Sequence, residues 1–191
     1  MQTTNPKNWG SPLQQYVDEF FHDSENLPKV YLAGKIRARC WRHNLIAELR
    51  NHHWNMGPLT QDEFIYIGPF FAGCDHACYH SANTHGNGNG CSPDLDIDRQ
   101  TVARLCRQAV DKADLVYCYI DAADCYGTIA EIERAHIQGA RVVIAFAPGL
   151  ARPENNDFWF VCEGAYKVYY DVCECQLQKL LNDALRRLPC R

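Results

Sequence analysis

The chain has 191 residues, 47% of them hydrophobic and 22% charged, with a net charge of −4. That length and balance fit one globular domain with a sizeable core, and they argue against a general nucleic-acid or membrane-surface binder. No run approaches the roughly 18 apolar residues that a membrane span needs, and no charged-then-apolar leader opens the chain.

Residues 1–12, polar and broken by Pro6, Gly10 and Pro12, read as a loose lead-in, and residues 13–22 carry the apolar spacing of a short helix. Lys29–Gly34 is a buried-type strand ending in glycine, and a helix is expected from Lys35 to about Asn51. Lys35, Arg37, Arg39 and Arg42 put four cations within eight residues and no acid among them. At a strand-to-helix turn the free amides and the helix dipole already favour an anion, with a solvated basic face as the competing reading. The spacing of a Walker phosphate loop is absent. Phe64 to Ile67 reads as a second strand, ended by Gly68-Pro69.

Residues 72–93 form an inserted loop rich in Cys and His. Cys74, His76, Cys78 and His80 alternate, so an extended segment puts all four on one side, with His85 and Cys91 close behind. Thiolate and imidazole are zinc ligands, but the spacing fits no common zinc module. Three readings stand side by side: a flap offering Asp75, His76 or His80 to a substrate, a zinc site on Cys74, His76, Cys78 and His80, or a surface loop without a role.

Residues 94–113 read as an amphipathic helix with Val102, Leu105, Cys106, Ala109 and Val110 turned to the core; the calcium-loop pattern is missing. From Ala113 to Ala147 the apolar runs Leu115–Ile120 and Val142–Phe146 flank a Gly127-Thr128 turn and a short helical pattern. That is a strand-loop-helix-strand unit of a parallel α/β sheet, in which ligands sit beyond the carboxyl ends of the strands. Asp121, Asp124, Gly127 and Glu131 would gather there. Thr128 and Glu131 also fit a capping box, which would occupy the glutamate structurally. Glu133 points to another face, as a solvated partner for Lys or Arg. Phe158, Trp159 and Phe160 follow a loop and read mainly as core; Lys167–Tyr170 is a last strand and Cys175–Leu188 a last helix. The eleven cysteines, odd in number and scattered, read as thiols of a reducing cytoplasm, with disulfides the alternative.

Asp114-Leu-Val, then Asp121-x-x-Asp124-x-x-Gly127-Thr128-x-x-Glu131-Ile132, then Ala135-x-x-x-Gly139, together with Val30-Tyr-Leu-Ala-Gly34, resemble the nucleoside 2-deoxyribosyltransferase family. That family includes deoxynucleoside 5′-monophosphate N-glycosidases. The chain departs from it at Glu133, where glycine is usual, and at Cys125, where an acid is common. The resemblance implies one α/β domain over residues 1–191, a parallel-sheet, flavodoxin/Rossmann-like three-layer sandwich. It makes Glu131 the nucleophile of a covalent glycosyl-glutamate intermediate, Tyr31 its orienting partner, and Asp121 or Asp124 the assisting acid. It makes Lys35, Arg37 and Arg39 candidate ligands of a 5′-phosphate, with Gly34, Ile36, Gly127 and Thr128 against the substrate. It assigns Asn156, Phe158 and Trp159 to the base pocket or a dimer contact. It implies a nucleoside or nucleotide as ligand, no cofactor for the chemistry, a homodimer or higher homo-oligomer, and no nucleic-acid polymer or membrane as partner. A glycohydrolase of NAD or ADP-ribose type, and a nucleotide sensor without turnover, are the other readings.

Overall fold

The computed structural model describes residues 27–36, 40–51, 57–69, 99–152, 154 and 157–189. Among them six strands form one sheet: β1 (Lys29–Gly34), β2 (Leu59–Thr60), β3 (Ile65–Gly68), β4 (Leu115–Ile120), β5 (Arg141–Phe146) and β6 (Lys167–Tyr169). They lie in the order β2-β3-β1-β4-β5-β6, parallel throughout except for β2, which pairs antiparallel with β3. Five α-helices accompany them: α1 (Arg42–Leu45), α2 (Arg99–Lys112), α3 (Tyr126–Gln138), α4 (Trp159–Glu163) and α5 (Leu177–Leu185). No helix among the described residues is long and apolar enough to cross a membrane.

The central strands are apolar on both faces because both are covered. Tyr31, Ala33, Val116, Cys118, Ile120, Val142 and Ile144 point into a core shared with α2, α3 and α4. The alternate residues Val30, Leu32, Leu115, Tyr117, Tyr119 and Val143 point into a second core with Trp41, Ile46 and Leu49 and with Leu177, Leu181 and Leu185 of α5. This α/β layering is compatible with a doubly wound, Rossmann-like arrangement. Without β2, the parallel strands numbered among themselves run 2-1-3-4-5, so the winding reverses between β1 and β4. A crevice is expected beyond the carboxyl ends of those two strands.

Two details shape that end of the sheet. The β1–β3 register slips by one residue, so that Val30 faces Tyr66 while Tyr31 faces Gly68. A Cβ at Gly68 would stand 2.7 Å from the Tyr31 ring, so the bulge sets a residue without a side chain where the aromatic lies. On the outer layer, Arg134 of α3 grips Asp111 of α2 with two hydrogen bonds of 2.6 Å. The pair is partly exposed, so its worth is that of a well-oriented surface bridge. Arg134→Ala is expected to lower stability by about 1 kcal/mol in urea titration, and by less in high salt.

Several expectations need correction. The helix expected from Lys35 to Asn51 is broken: α1 is one turn long, Ile46 is extended (φ −135°, ψ 97°), and a 3-10 turn follows at Ala47–Asn51. The reason is packing, since Arg42, His43 and Ile46 are all buried and the chain must bend to bring them in. Trp159 and Phe160, read as core, are 61% and 63% exposed. Among the described residues Glu133 meets no Lys or Arg; its carboxylate stands 3.8 Å from His136 Nδ1, one turn along α3. Cys173 and Cys175 form a disulfide, the alternative to the thiols read from the sequence, because an extended residue feeding a 3-10 turn brings their Cα atoms to 5.4 Å. The strand β2 was missed, being two residues long with no alternation to read. The inserted loop at 72–93, the helix at 13–22 and the lead-in at 1–12 lie outside the described residues.

Candidate active site

The first local question is how α3 begins. Its N-cap is Cys125, without a side-chain cap, so the helix starts at Tyr126 and Thr128 already belongs to the first turn. Thr128 is buried there, and the capping box that would have engaged Glu131 is not formed. Glu131 therefore sits one turn into the helix with its carboxylate turned toward β1. The Tyr31 hydroxyl donates to Glu131 Oε1 at 2.5 Å, joining residues 100 positions apart. The Tyr31 ring is fully buried, held by Gly68 on one side, and its hydroxyl also hydrogen-bonds Cys106 of α2. With its phenol fixed from two elements, the tyrosine fixes the carboxylate in turn.

In front of Glu131 lies a cavity of about 230 Å³, lined by Gly34, Lys35 and Ile36 from β1 and its turn, Pro69 after β3, Cys106, and the α3 start from Asp124 through Thr128. Of the residues expected at a site, Gly34, Lys35, Ile36, Asp124, Gly127, Thr128 and Glu131 are thus brought together, with Tyr31 directly behind the glutamate. Asp121 is half-buried just past β4 and does not line the cavity. Arg37, Arg39, Cys74, Asp75, His76, Cys78 and His80 lie outside the described residues, as does Asn156. Pro69, Cys125 and Tyr126 were not expected at the site, and Cys106 was expected only in the core. Helical period did turn Cys106 toward the sheet, whereas nothing in the sequence marked Tyr126, which is 80% exposed at the rim.

The electrostatics set Glu131 apart from the other acids. Burial pushes its carboxyl up to about 7, while the Tyr31 hydrogen bond and the nearby Arg42 charge pull it down. Burial also holds the Tyr31 phenol well above the ordinary tyrosine range, so it stays a donor. At the mouth, Lys35 Nζ pairs with Asp124 Oδ2 at 2.5 Å, spanning the gap between the β1 turn and the start of α3. Both partners are substantially exposed, so the bond is weak and easily exchanged for a bound anion. A carboxyl poised near neutrality, aimed into a hollow and rigidly oriented, can act as a nucleophile or exchange a proton.

A larger hollow of about 780 Å³ lies at the opposite end of the sheet, among Asp114, Gly139, Arg141, Tyr166 and Leu188. Its charged groups serve the fold. Asp114 accepts from the Lys29 amide at 2.7 Å, and Arg141 stacks on Tyr166 at 4.2 Å while donating to the Arg187 carbonyl. It also opens at the amino ends of the parallel strands, away from the end where such sheets hold ligands. Among the described residues no group of three His, Cys, Asp or Glu side chains could hold a metal. No protein-family model matches the chain, and no curated protein matches it either.

Proposed function

We propose that the protein cleaves the N-glycosidic bond of a nucleoside or nucleoside 5′-monophosphate, as an enzyme of nucleoside 2-deoxyribosyltransferase type with Glu131 as nucleophile. The observation that carries this reading is the 2.5 Å hydrogen bond from a buried Tyr31 to Glu131, in front of a hollow at the winding reversal of the sheet. The ionised carboxylate forms a bond to the anomeric carbon as the carbon–nitrogen bond breaks. The bonding electrons leave with the base, which takes a proton from solvent at the cavity mouth, with Asp124, part of the cavity lining, as the carboxylate that relays it. Water or a second base then takes the sugar from the glycosyl ester, which splits one hard displacement into two easier ones.

Size supports a division of the ligand. Complete ligand sites usually hold roughly 300–1,000 Å³, more than the hollow of about 230 Å³. The sugar and one neighbouring group fit inside, and the rest of the ligand runs over the rim at Tyr126, whose exposed ring suits a flat base. Lys35 exchanges Asp124 for a 5′-phosphate, which frees the acid and favours nucleotides over nucleosides. Hydrolysis is the reading we favour over transfer.

The test is incubation with a panel of nucleosides, 5′-monophosphates and NAD, with chromatography for free base. Base release from monophosphates above the matched nucleosides is expected, and labelled acceptor base added to the same reactions separates transfer from hydrolysis. Release of nicotinamide alone would move the protein to the NAD glycohydrolases. Tight nucleotide binding with no free base from any compound would make it a sensor.

A further inference from the structure

Arg42 is the least expected side chain in the molecule: a guanidinium with no solvent exposure, in a stretch that reads as a basic helix face. Guanidinium keeps its charge in proteins, and a buried charge is costly unless it is paired and hydrogen-bonded. Its hydrogen bonds go to two backbone carbonyls and one cysteine sulfur. Nε donates to the Leu32 carbonyl at 2.7 Å, Nη2 to the Gly34 carbonyl at 2.7 Å, and Nη1 to Cys40 Sγ at 3.0 Å, while its carbon lies 4.7 Å from the Trp41 ring centre. Among the described residues no carboxylate stands within ion-pair distance of it.

The two carbonyls belong to the end of β1. Strand β3 stops opposite Tyr31, whereas β4 continues to Gly34, so β1 runs on past one neighbour and Arg42 holds that overhang. The same overhang carries Gly34 to the cavity and lies just beyond the tyrosine that orients Glu131.

We propose that Arg42 is a positioning residue for Glu131: its buried guanidinium clamps the carboxyl end of β1 and supplies the positive charge against which the glutamate ionises. Among the described residues, the groups facing Glu131 from other elements are otherwise held neutral by burial or already paired. Tyr31 of β1 and Tyr66 of β3 are phenols held protonated by burial, and the Cys118 thiol of β4 is likewise pushed up. Cys106 of α2 is a thiol on Tyr31, Cys125 is pushed up at the head of α3, and Lys35 and Asp124 neutralise each other. Among the described residues Arg42 is the cation whose charge favours the Glu131 anion, against the burial that favours the acid. The inference concerns ionisation and stands whatever ligand the cavity takes.

Carboxyl-carbon NMR of the full chain tests it. In the native protein Glu131 is expected to titrate near 7. Arg42→Gln, which keeps donors for the carbonyls but drops the charge, is expected to raise that midpoint by about 1 pH unit or more. Arg42→Lys, which keeps the charge and loses half of the clamp, is expected to stay near the native midpoint. A folded Arg42→Gln protein with an unmoved midpoint, or an equal rise in both variants, overturns the proposal. Should the Gln variant fail to fold, the native protein decides. The buried Arg42 Nε–H resonance is expected to move with pH at the Glu131 midpoint and to stop moving in Glu131→Gln, and a resonance that ignores Glu131 overturns the proposal.

Discussion

Glu131→Gln is expected to abolish base release, by about 10⁴-fold or more, while making the folded protein more stable at alkaline pH. The first half follows from the role: an amide at that position cannot form the glycosyl ester, and loss of a nucleophile typically removes most of an enzyme's advantage over water. The second half follows from linkage. The folded state raises the carboxyl from 4.5 to about 7, so it holds the proton more tightly than the unfolded chain. This group's contribution is therefore least unfavourable below pH 4.5, worsens as pH rises through 4.5–7, and is at its full cost above 7. Each pH unit corresponds to about 1.4 kcal/mol, and the carboxylate keeps some contact with the cavity, so the cost at pH 8 is on the order of 2–3 kcal/mol. Urea titrations of both proteins should coincide near pH 4.5 and separate by that amount at pH 8, with Gln the more stable. Turnover by the native enzyme should rise through pH 7 as the carboxylate forms. A variant that keeps its turnover removes Glu131 from the chemistry, and parallel stability curves at all pH values remove the buried acid.

Gly34→Ala is expected to cost about 2–5 kcal/mol and to damage the cavity at the same time. The glycine has φ 153°, and an added Cβ would stand 2.7 Å from the Tyr119 carbonyl oxygen and 3.0 Å from Trp41 Nε1. Backbone cannot step aside as a side chain can, so strain at that φ and overpacking add. The Gly34 carbonyl is also one of the two held by Arg42, so a shift there loosens the clamp. Gly127 provides the contrast. It lies in the first turn of α3 with nothing within 4 Å of an added Cβ and an ordinary φ. Gly127→Ala should leave stability unchanged or raise it by about 0.5–1 kcal/mol. The two midpoints in urea, at equal slope, should therefore move in opposite directions or only the first should move.

The parts of the fold that local pattern determines were legible in the chain. Leu115–Ile120 and Val142–Phe146 are apolar at every position, as strands covered on both sides must be, and the Gly-Thr turn between them marks the helix that carries Glu131. The pairing of Tyr31 with Glu131 came from resemblance, since nothing local can tell a tyrosine at the middle of β1 that its hydroxyl meets residue 131. What escaped reading depends on tertiary packing. Arg42 carries the signature of a solvated face, yet it is drawn inward because β1 outruns β3 and leaves carbonyls to be satisfied. Trp159 and Phe160 carry the signature of core, yet α4 is a five-residue helix with only Val161 fully turned inward. A capping box at Thr128 is a sound local reading that loses because the helix begins two residues earlier, at Tyr126.

The margins of the sheet have a consequence of their own. One flank ends in the two-residue β2 and the other in the three-residue β6, which begins with the exposed Lys167. Neither offers the long, flat, apolar border on which strands of separate molecules stack. The all-apolar segment Leu-Val-Tyr-Cys-Tyr-Ile of β4 lies instead inside the sheet, hydrogen-bonded along both sides. Fibrillar association through the described strands therefore requires the sheet to come apart from the middle, so resistance to it rises and falls with global stability rather than with fraying of the rim.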